Sequence, residues 1–554
     1  MIIRSMDNQK EFPEGTTVRN CLVGLDAFPR GTLAALSGGV VIELNDPLRR
    51  DCTLTPLTLE HEEGRRIYER SLRFVMLLAL RHLFPYQQVR IEYSVGYGVF
   101  VRLPGVELHR QDIVRIENEM RRIVELDLVF TRKQWTREDA IRYFEEEKQQ
   151  DKVELLSRRP VPTFTMYCID GMWEYFYGAM TVSTGYVPVF TLFELRGGFV
   201  LQLPAGSDFD HAAPYIYRPK HLEIFAQSAH WCEILGVTNV SDVSILIEQN
   251  KLRNFIRVNE ALHENRFAEI ASEIVARGAR AILIAGPSSS GKTTSANRLC
   301  TQLRVLGKTP LLFSLDDYYK DRSLVEPEPD GTFDYEHIKM IDVERFNEDL
   351  SALLRGESVE PPVFDFATGR SLPGGKAIRL TADTPLIIEG LHALNPQLLT
   401  PEIDPKDVFK LYVSALTTLN LDDHNRIPTS DVRLLRRLVR DYLTRGATVE
   451  RTLTMWDSVQ RGEHRWIFPY QEGADAIFNT ALVYELAVLK RHIFPLLQSA
   501  DPTSPCYDQV RNIVKFLNYV QDASVEDEIP PTSILREFIG GNTFYLKREA
   551  ETYA

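Results

Sequence analysis

One short stretch of this chain combines residue types that can hold a polyphosphate: Gly286-Pro287-Ser288-Ser289-Ser290-Gly291-Lys292-Thr293-Thr294. Glycines let a backbone wrap close to anionic oxygens. Successive N–H groups running into a helix N-terminus then form an anion cradle. The pattern G-x-x-x-x-G-K-T adds an ammonium, Lys292, for the outer phosphates and a hydroxyl, Thr293, for Mg²⁺. Two carboxylates follow at the ends of apolar runs. Asp316 closes the run 310–315, where it can take a proton from an attacking hydroxyl or help hold Mg²⁺. Glu389 closes the run 385–388 and reads as a further metal contact, while Asp317 reads as a helix N-cap. At about 100° per residue, Arg433, Arg436, Arg437 and Arg440 share one helix face, which beside a phosphate site reads as a lid spreading negative charge.

The elements around these residues must put them in one crevice. Residues 281–285 form a buried-strand run immediately before the glycine loop, and a helical stretch follows to Leu306. The runs 281–285, 310–315, 385–388 and 408–413 alternate with helical segments, which predicts βαβ units and a parallel sheet. In such sheets ligands bind beyond the C-terminal strand ends, where Asp316 and Glu389 fall. The first half is patterned differently. Residues 1–57 hold two turn signals and a strand candidate at 40–44. A strong helix follows, with Ile67, Phe74, Val75, Leu78 and Leu83 on its apolar face, until Phe84-Pro85 stops it. Strand candidates lie at 89–93, 98–103, 164–168 and 199–203, with a charged, helix-like stretch at 111–150. Residues 245–277 read as one or two helices ended by Gly278, and residues 325–331 as an exposed loop.

The chain has 554 residues with 64 Lys+Arg against 77 Asp+Glu, a net charge of −13, and is 44% hydrophobic. That balance excludes a mostly disordered chain and disfavours bulk binding of polyanions. The longest apolar run, residues 74–80, ends at Arg81, far short of the roughly 20 residues a bilayer span needs. The first residues lack the apolar core of a secretory signal, so a cytoplasmic location without membrane association is expected. Six scattered cysteines with no C-x-x-C pair argue against a disulfide framework or a cysteine zinc site.

The ordered blocks GPSSSGKTT, SLDDYY, TFDYEH, PVFDF, LIIEG and DVRLLRRLVRDYLTRG resemble the uridine kinase/phosphoribulokinase family over residues 280–480 or so. The resemblance implies a kinase using ATP and Mg²⁺ to phosphorylate a hydroxyl of a small metabolite, most simply a nucleoside 5′-hydroxyl. Asp316 becomes the general base and, with Thr293 and Glu389, a metal contact. Gly286, Ser288, Ser289, Ser290, Gly291, Lys292, Thr293 and Thr294 hold the nucleotide. Tyr319, Phe333, Asp334 and Phe364 line the acceptor site, and Arg437, Arg440 and Arg445 are the lid arginines. The base-reading positions depart from the family: Phe364 replaces a tyrosine, Gly369 a histidine, Ala447 an arginine and Met455 a glutamine. Phosphoryl transfer is therefore implied and pyrimidine selectivity is not. Asp422-Asp423-His424-Asn425-Arg426, the stretch from Trp456 to Asp475 and residues 535–541 resemble a long bacterial branch of nucleoside kinases, with no mechanism evident for them.

The first half resembles the start of threonyl-tRNA synthetase. Residues 1–57 are similar to its TGS β-grasp module and residues 59–220 to its editing-type domain. In that family an H-x-x-x-H and a C-x-x-x-H pair bind metal. Anchored on Ser71 and on Ser183-Thr184-Gly185, those places hold Arg70 with Phe74 and Phe176 with Met180, so hydrolytic editing is not carried over. What remains is a fold suited to contacting RNA or a regulatory ligand, or a scaffold. The expected architecture is multidomain α/β: a TGS-like β-grasp (1–57), an α+β editing-like domain (59–220), a helical connector (221–277), a P-loop kinase domain with a parallel sheet flanked by helices (278–500), and a C-terminal extension (501–554). The rival function is an RNA- or ribosome-associated regulator using the P-loop as a switch. The sequence leaves the acceptor and the oligomeric state open.

Overall fold

A computed structural model describes residues 1–206, 208–324, 337–365, 368–372, 374 and 377–545. Phe333, Asp334 and the loop expected at 325–331 lie outside the described residues.

The second half is built on a five-stranded parallel sheet in the order Leu311–Ser314, Leu386–Glu389, Ala281–Ala285, Val408–Ser414, Ala476–Asn479. Ala281–Ala285 is central and wholly buried, as its unbroken apolar run requires of a strand covered on both faces. Helix Leu252–Arg277 packs beside helix Lys292–Val305 and stops at Gly278, whose φ of 72° suits glycine. The edge strand Ala476–Asn479 was not foreseen.

The first half carries a small module with two three-stranded sheets around helix Val18–Gly24, its core made by Ile3, Val18, Cys21, Leu22, Leu44 and Leu54. An antiparallel sheet of Arg90–Val95, Gly98–Arg102, Gly198–Gln202 and Thr191–Leu195 follows, covered by helix Glu62–Leu83. That helix is buried from Ile67 to Leu80 apart from Glu69. Acids occupy its first turn and bases its last, matching the helix dipole. The charged stretch expected to be helical at 111–150 contains a strand, Thr131–Thr136, pairing along Thr163–Ile169. Its residues are polar because both faces of this edge strand meet water, with only Trp135 partly covered. The connector is three helices, Pro219–Ile234, Val240–Glu248 and Leu252–Arg277.

The halves share their core. Phe144, Leu156, Phe164 and Tyr175 pack in one cluster with Ile256, Ile282, Leu421 and Phe538. The seam also holds a buried charge network built on the hairpin Asn420–Asp422 and Asn425–Arg426. Lys152 Nζ lies 2.9 Å from Glu174 and 3.0 Å from Asp422, all three with no exposed surface. His424 Nδ1 is 2.8 Å from Glu174, Gln88 donates to Asp423 at 2.6 Å, and Arg426 pairs with Glu69. Burial alone would raise the Glu174 carboxyl, yet the charges of Lys152 and His424 bring it down to about 2. The Asp422–Arg426 motif thus locks the two halves together.

Candidate functional site

The loop from Gly286 to Gly291 leaves the central strand and turns into helix Lys292–Val305. A Cβ on Gly286 would fall 2.0 Å from the Val413 carbonyl oxygen of the adjacent strand, so only glycine fits. Gly291 has φ +85°, and Ser289 also takes a left-handed turn, which aims the loop N–H groups into a concave nest. Lys292 Nζ donates to the carbonyls of Gly286 (3.0 Å) and Pro287 (3.3 Å) and so lies back along the loop.

Two carboxylates face this loop. Glu389 ends the strand next to the central one, and Thr293 Oγ1 stands 3.5 Å from its Oε1. Asp316 sits in the turn Leu315–Tyr318 at the end of the following strand, where Ser314 Oγ accepts from its N–H. Burial pushes Asp316 up; Lys292 pulls it back and Asp317 adds to the rise. Burial also raises Glu389 to about 7, against the pull of Lys292 and with a further push from Asp316 and Glu537. These oxygens are hard donors of the kind Mg²⁺ prefers. Among the described residues no group of three or more His, Cys, Asp or Glu is placed to hold a metal ion.

On the acceptor side Asp317 is not the cap it was expected to be: Ser314 caps the turn Leu315–Tyr318, and Asp317 accepts the Phe364 N–H at 3.4 Å, drawing in the hairpin of Val363–Asp365 and Arg370–Leu372. The rings of Tyr319 and Phe364 meet at 5.6 Å. A cavity of about 240 Å³ opens beside them, lined by Tyr319, Asp321, Asp342, Arg345 and Ser371. Of the acceptor residues expected from the sequence, Tyr319 and Phe364 come together at this place.

Helix Thr429–Arg445 does not present its arginines as one clamp. Arg433 and Arg436 are fully buried and bound to the loop's own frame. Arg433 pairs with Glu463 (2.5 and 2.7 Å) and donates to Ser288 O, while Glu463 accepts the Ser288 N–H at 2.9 Å. Arg436 pairs with Glu485 at 2.7 Å and donates to the Thr480 carbonyl, and Thr480 Oγ1 donates to Ser290 O at 2.7 Å. The expectation that these two arginines face a triphosphate is corrected: their helix face points inward, and they pin the loop. Arg437 donates to Ser288 Oγ at 2.9 Å, and Arg437, Arg440 and Arg445 all contact the carboxylate of Asp441.

Sequence reasoning missed Glu463, Glu485 and Glu537, the last from residues 535–541. Glu537 Oε2 accepts from the Thr294 N–H at 3.2 Å and from its hydroxyl at 2.7 Å. An available signal was that arginines on an otherwise apolar helix face demand buried acidic partners.

In the first half the four places expected from the resemblance are packed shut. Phe74 stacks with Phe130 at a ring distance of 5.8 Å and meets Phe176 at 5.3 Å with the rings tilted, and Met180 is fully buried. Arg70 donates to the Ala179 carbonyl.

A phosphate-type nest at the head of a parallel sheet, with a lysine behind it and carboxylates on the flanking strand ends, defines a P-loop α/β protein. Residues 281–486 match the phosphoribulokinase / uridine kinase family, and the chain belongs to that family through them. A uridine kinase of Halalkalibacterium halodurans is 31% identical over 203 residues, 36% of this chain and 86% of that protein. A uridine kinase of Brevibacillus brevis is 29% identical over 195 residues, 35% of this chain and 81% of that protein. The first half is similar to threonine–tRNA ligases; that of Symbiobacterium thermophilum is 30% identical over 196 residues. The match covers 34% of this chain, which spans only 30% of the length of that ligase. No helix among the described residues is long and apolar enough to cross a membrane.

Proposed function

We propose that the chain is an ATP- and Mg²⁺-dependent kinase that phosphorylates a hydroxyl of a small metabolite, the 5′-hydroxyl of a nucleoside. The observation that carries this reading is the meeting of Lys292, Thr293, Asp316 and Glu389 at the C-terminal ends of three neighbouring strands. Gly286, Ser288, Ser289, Ser290, Gly291 and Thr294 complete the nucleotide site. Asp316 takes the acceptor's proton, its raised affinity for protons suiting it to that task. Lys292 and the arginines on Asp441 (Arg437, Arg440 and Arg445) stabilise negative charge on the transferred group. Thr293, Glu389 and Asp316 would hold Mg²⁺, which when bound neutralises phosphate charge.

Tyr319 and Phe364 form one wall of the acceptor site, with Phe333 and Asp334 assigned by the family resemblance alone. Gly369 and Ala447 offer no side-chain hydrogen bond to a base edge, so the sugar is read more sharply than the base. The likeness of the first half to threonine–tRNA ligases supports a contact with RNA, and the whole reading places the chain in the cytoplasm.

The test is ADP release with ATP, Mg²⁺ and a panel of uridine, cytidine, adenosine, guanosine, inosine and their 2′-deoxy forms. Turnover is expected with ribonucleosides, with uridine not leading the others by a hundredfold. Asp316→Asn should lower kcat by at least about a hundredfold. An unchanged kcat would overturn the role of Asp316, and no turnover with any member of the panel would overturn the nucleoside assignment.

A further inference from the structure

The segment from Ser533 to Asn542 runs across the head of helix Lys292–Val305, and it belongs to no part of the phosphoryl-transfer machinery described above. Ile534, Leu535 and Phe538 are fully buried. Ser533 Oγ donates to Glu260 at 2.6 Å, and the Arg436 guanidinium lies 5.0 Å from the Phe538 ring centre. A Cβ on Gly291 would sit 2.7 Å from Ile534 Cγ2, so this segment touches the nest itself. Thr294 is in the first turn of the helix, where N–H groups have no partner within the helix and favour an anion. The anion there is Glu537, held by the Thr294 N–H and hydroxyl, with Asn542 Nδ2 donating to the same hydroxyl at 3.2 Å. Its charge acts on both Glu389 and Arg445.

We propose that Glu537 is an internal competitor for the phosphate site: its carboxylate occupies donors that a nucleotide's phosphate chain would use, and it must swing off Thr294 when a nucleotide binds. This rests on the P-loop reading and adds to it a regulation of that same site. The backbone of the segment has no need to leave, because Ile534 and Phe538 anchor it while the half-buried Glu537 side chain turns. The polypeptide leading to it is also held by the first half. The hydroxyls of Tyr519 and Tyr175 are hydrogen-bonded, the Arg159 guanidinium lies 4.4 Å from the Tyr519 ring centre, and Tyr177 donates to the Asn512 carbonyl at 2.6 Å. A ligand that moved Tyr175 or Tyr177 would therefore pull on the strap that carries the competitor.

The test is equilibrium binding of ATP, tripolyphosphate and adenosine to the full chain, its Glu537→Gln and Glu537→Ala variants, and Lys292→Ala. Removing the competing charge should tighten ATP and tripolyphosphate by about tenfold and leave adenosine unchanged. Unchanged or weaker binding of both phosphate probes in Glu537→Gln would overturn the proposal. Equal tightening of adenosine would also overturn it, since that outcome means a loosened segment and not a displaced anion. If the unaltered chain binds neither phosphate probe, or if Lys292→Ala binds both as well as it does, the P-loop reading fails and this proposal with it.

Discussion

Two places in this molecule correspond to patterns that the resemblances mark as catalytic, and they are built in opposite ways. Around Arg70, Phe74, Phe176 and Met180, where the resemblance to threonyl-tRNA synthetase expects metal ligands, aromatic rings close over one another and no carboxylate or imidazole holds those places. Around Lys292, Asp316 and Glu389 the opposite holds. Two carboxylates are kept at strand ends although burial raises both, and the lysine lies along the loop in place of a full ion pair with either. Packing lowers the free energy of a site that has no chemistry to perform. Partly buried carboxylates raise it, and a fold carries that cost where the charges have a task. The same surplus of feature over stability need is absent at Arg433 and Arg436, whose guanidinium groups are each matched by a buried glutamate and serve the loop's shape.

The sharpest way to break this comparison is Lys292→Ala, which should reduce phosphoryl transfer by about a thousandfold. The fold should survive, because the ammonium touches only two loop carbonyls. Turnover equal to that of the unaltered chain would put the two sites on the same footing. Next in size is Lys152→Met at the seam. It strands Glu174 and Asp422 without their shared cation and should cost about 3–5 kcal/mol in urea unfolding at neutral pH. A loss below about 1 kcal/mol would mean that the network is hydrated and does not join the halves.

A smaller effect concerns Glu389. Its carboxyl titrates near 7, above the ordinary value, so the proton is held more tightly in the folded chain. Its contribution to stability is present below the ordinary carboxylate range and is lost as pH rises through about 7. Mg²⁺ needs the ionised form, so apparent Mg²⁺ affinity should fall about tenfold from pH 8 to pH 6. Glu389→Gln should flatten that profile, and a profile equally steep in the variant would move the metal role elsewhere. The least effect is expected in the first half. Metal analysis should find no stoichiometric zinc, and mischarged seryl-tRNA should not be deacylated. One zinc per chain would show that Arg70, Phe74, Phe176 and Met180 are out of register with the ligand places.

Much of the second half was legible in the sequence because its information is local. A buried strand, a glycine loop and a helix follow one another, and the run 385–388 ends on the carboxylate it was expected to end on. The same locality made helix Glu62–Leu83 readable from its apolar face and its Phe84-Pro85 stop. The missing parts depend on distance. Nothing near Glu463 announces that Arg433 and the Ser288 N–H converge on it, and Glu537 meets Thr294 across 243 residues of chain. Strand Thr131–Thr136 was hidden because Arg132, Lys133 and Gln134 suit a solvated helix as well as a sheet edge, and only its pairing with Thr163–Ile169 decides. The arginine helix was misread for a related reason: spacing gives a shared face but not the direction in which that face points.

The seam has a consequence for how the chain is made. Lys152 and Asp422 are 270 residues apart, so on a ribosome adding roughly 5–20 residues per second the first waits on the order of 15–55 s for the second to appear. Through that interval the half already synthesised displays Lys152 and Glu174 to water beside the apolar side chains of Phe144, Leu156 and Phe164, which also wait for partners from the second half. The charge network can close only when the hairpin of Asn420–Asp422 and Asn425–Arg426 has emerged and brought its own charges to the meeting.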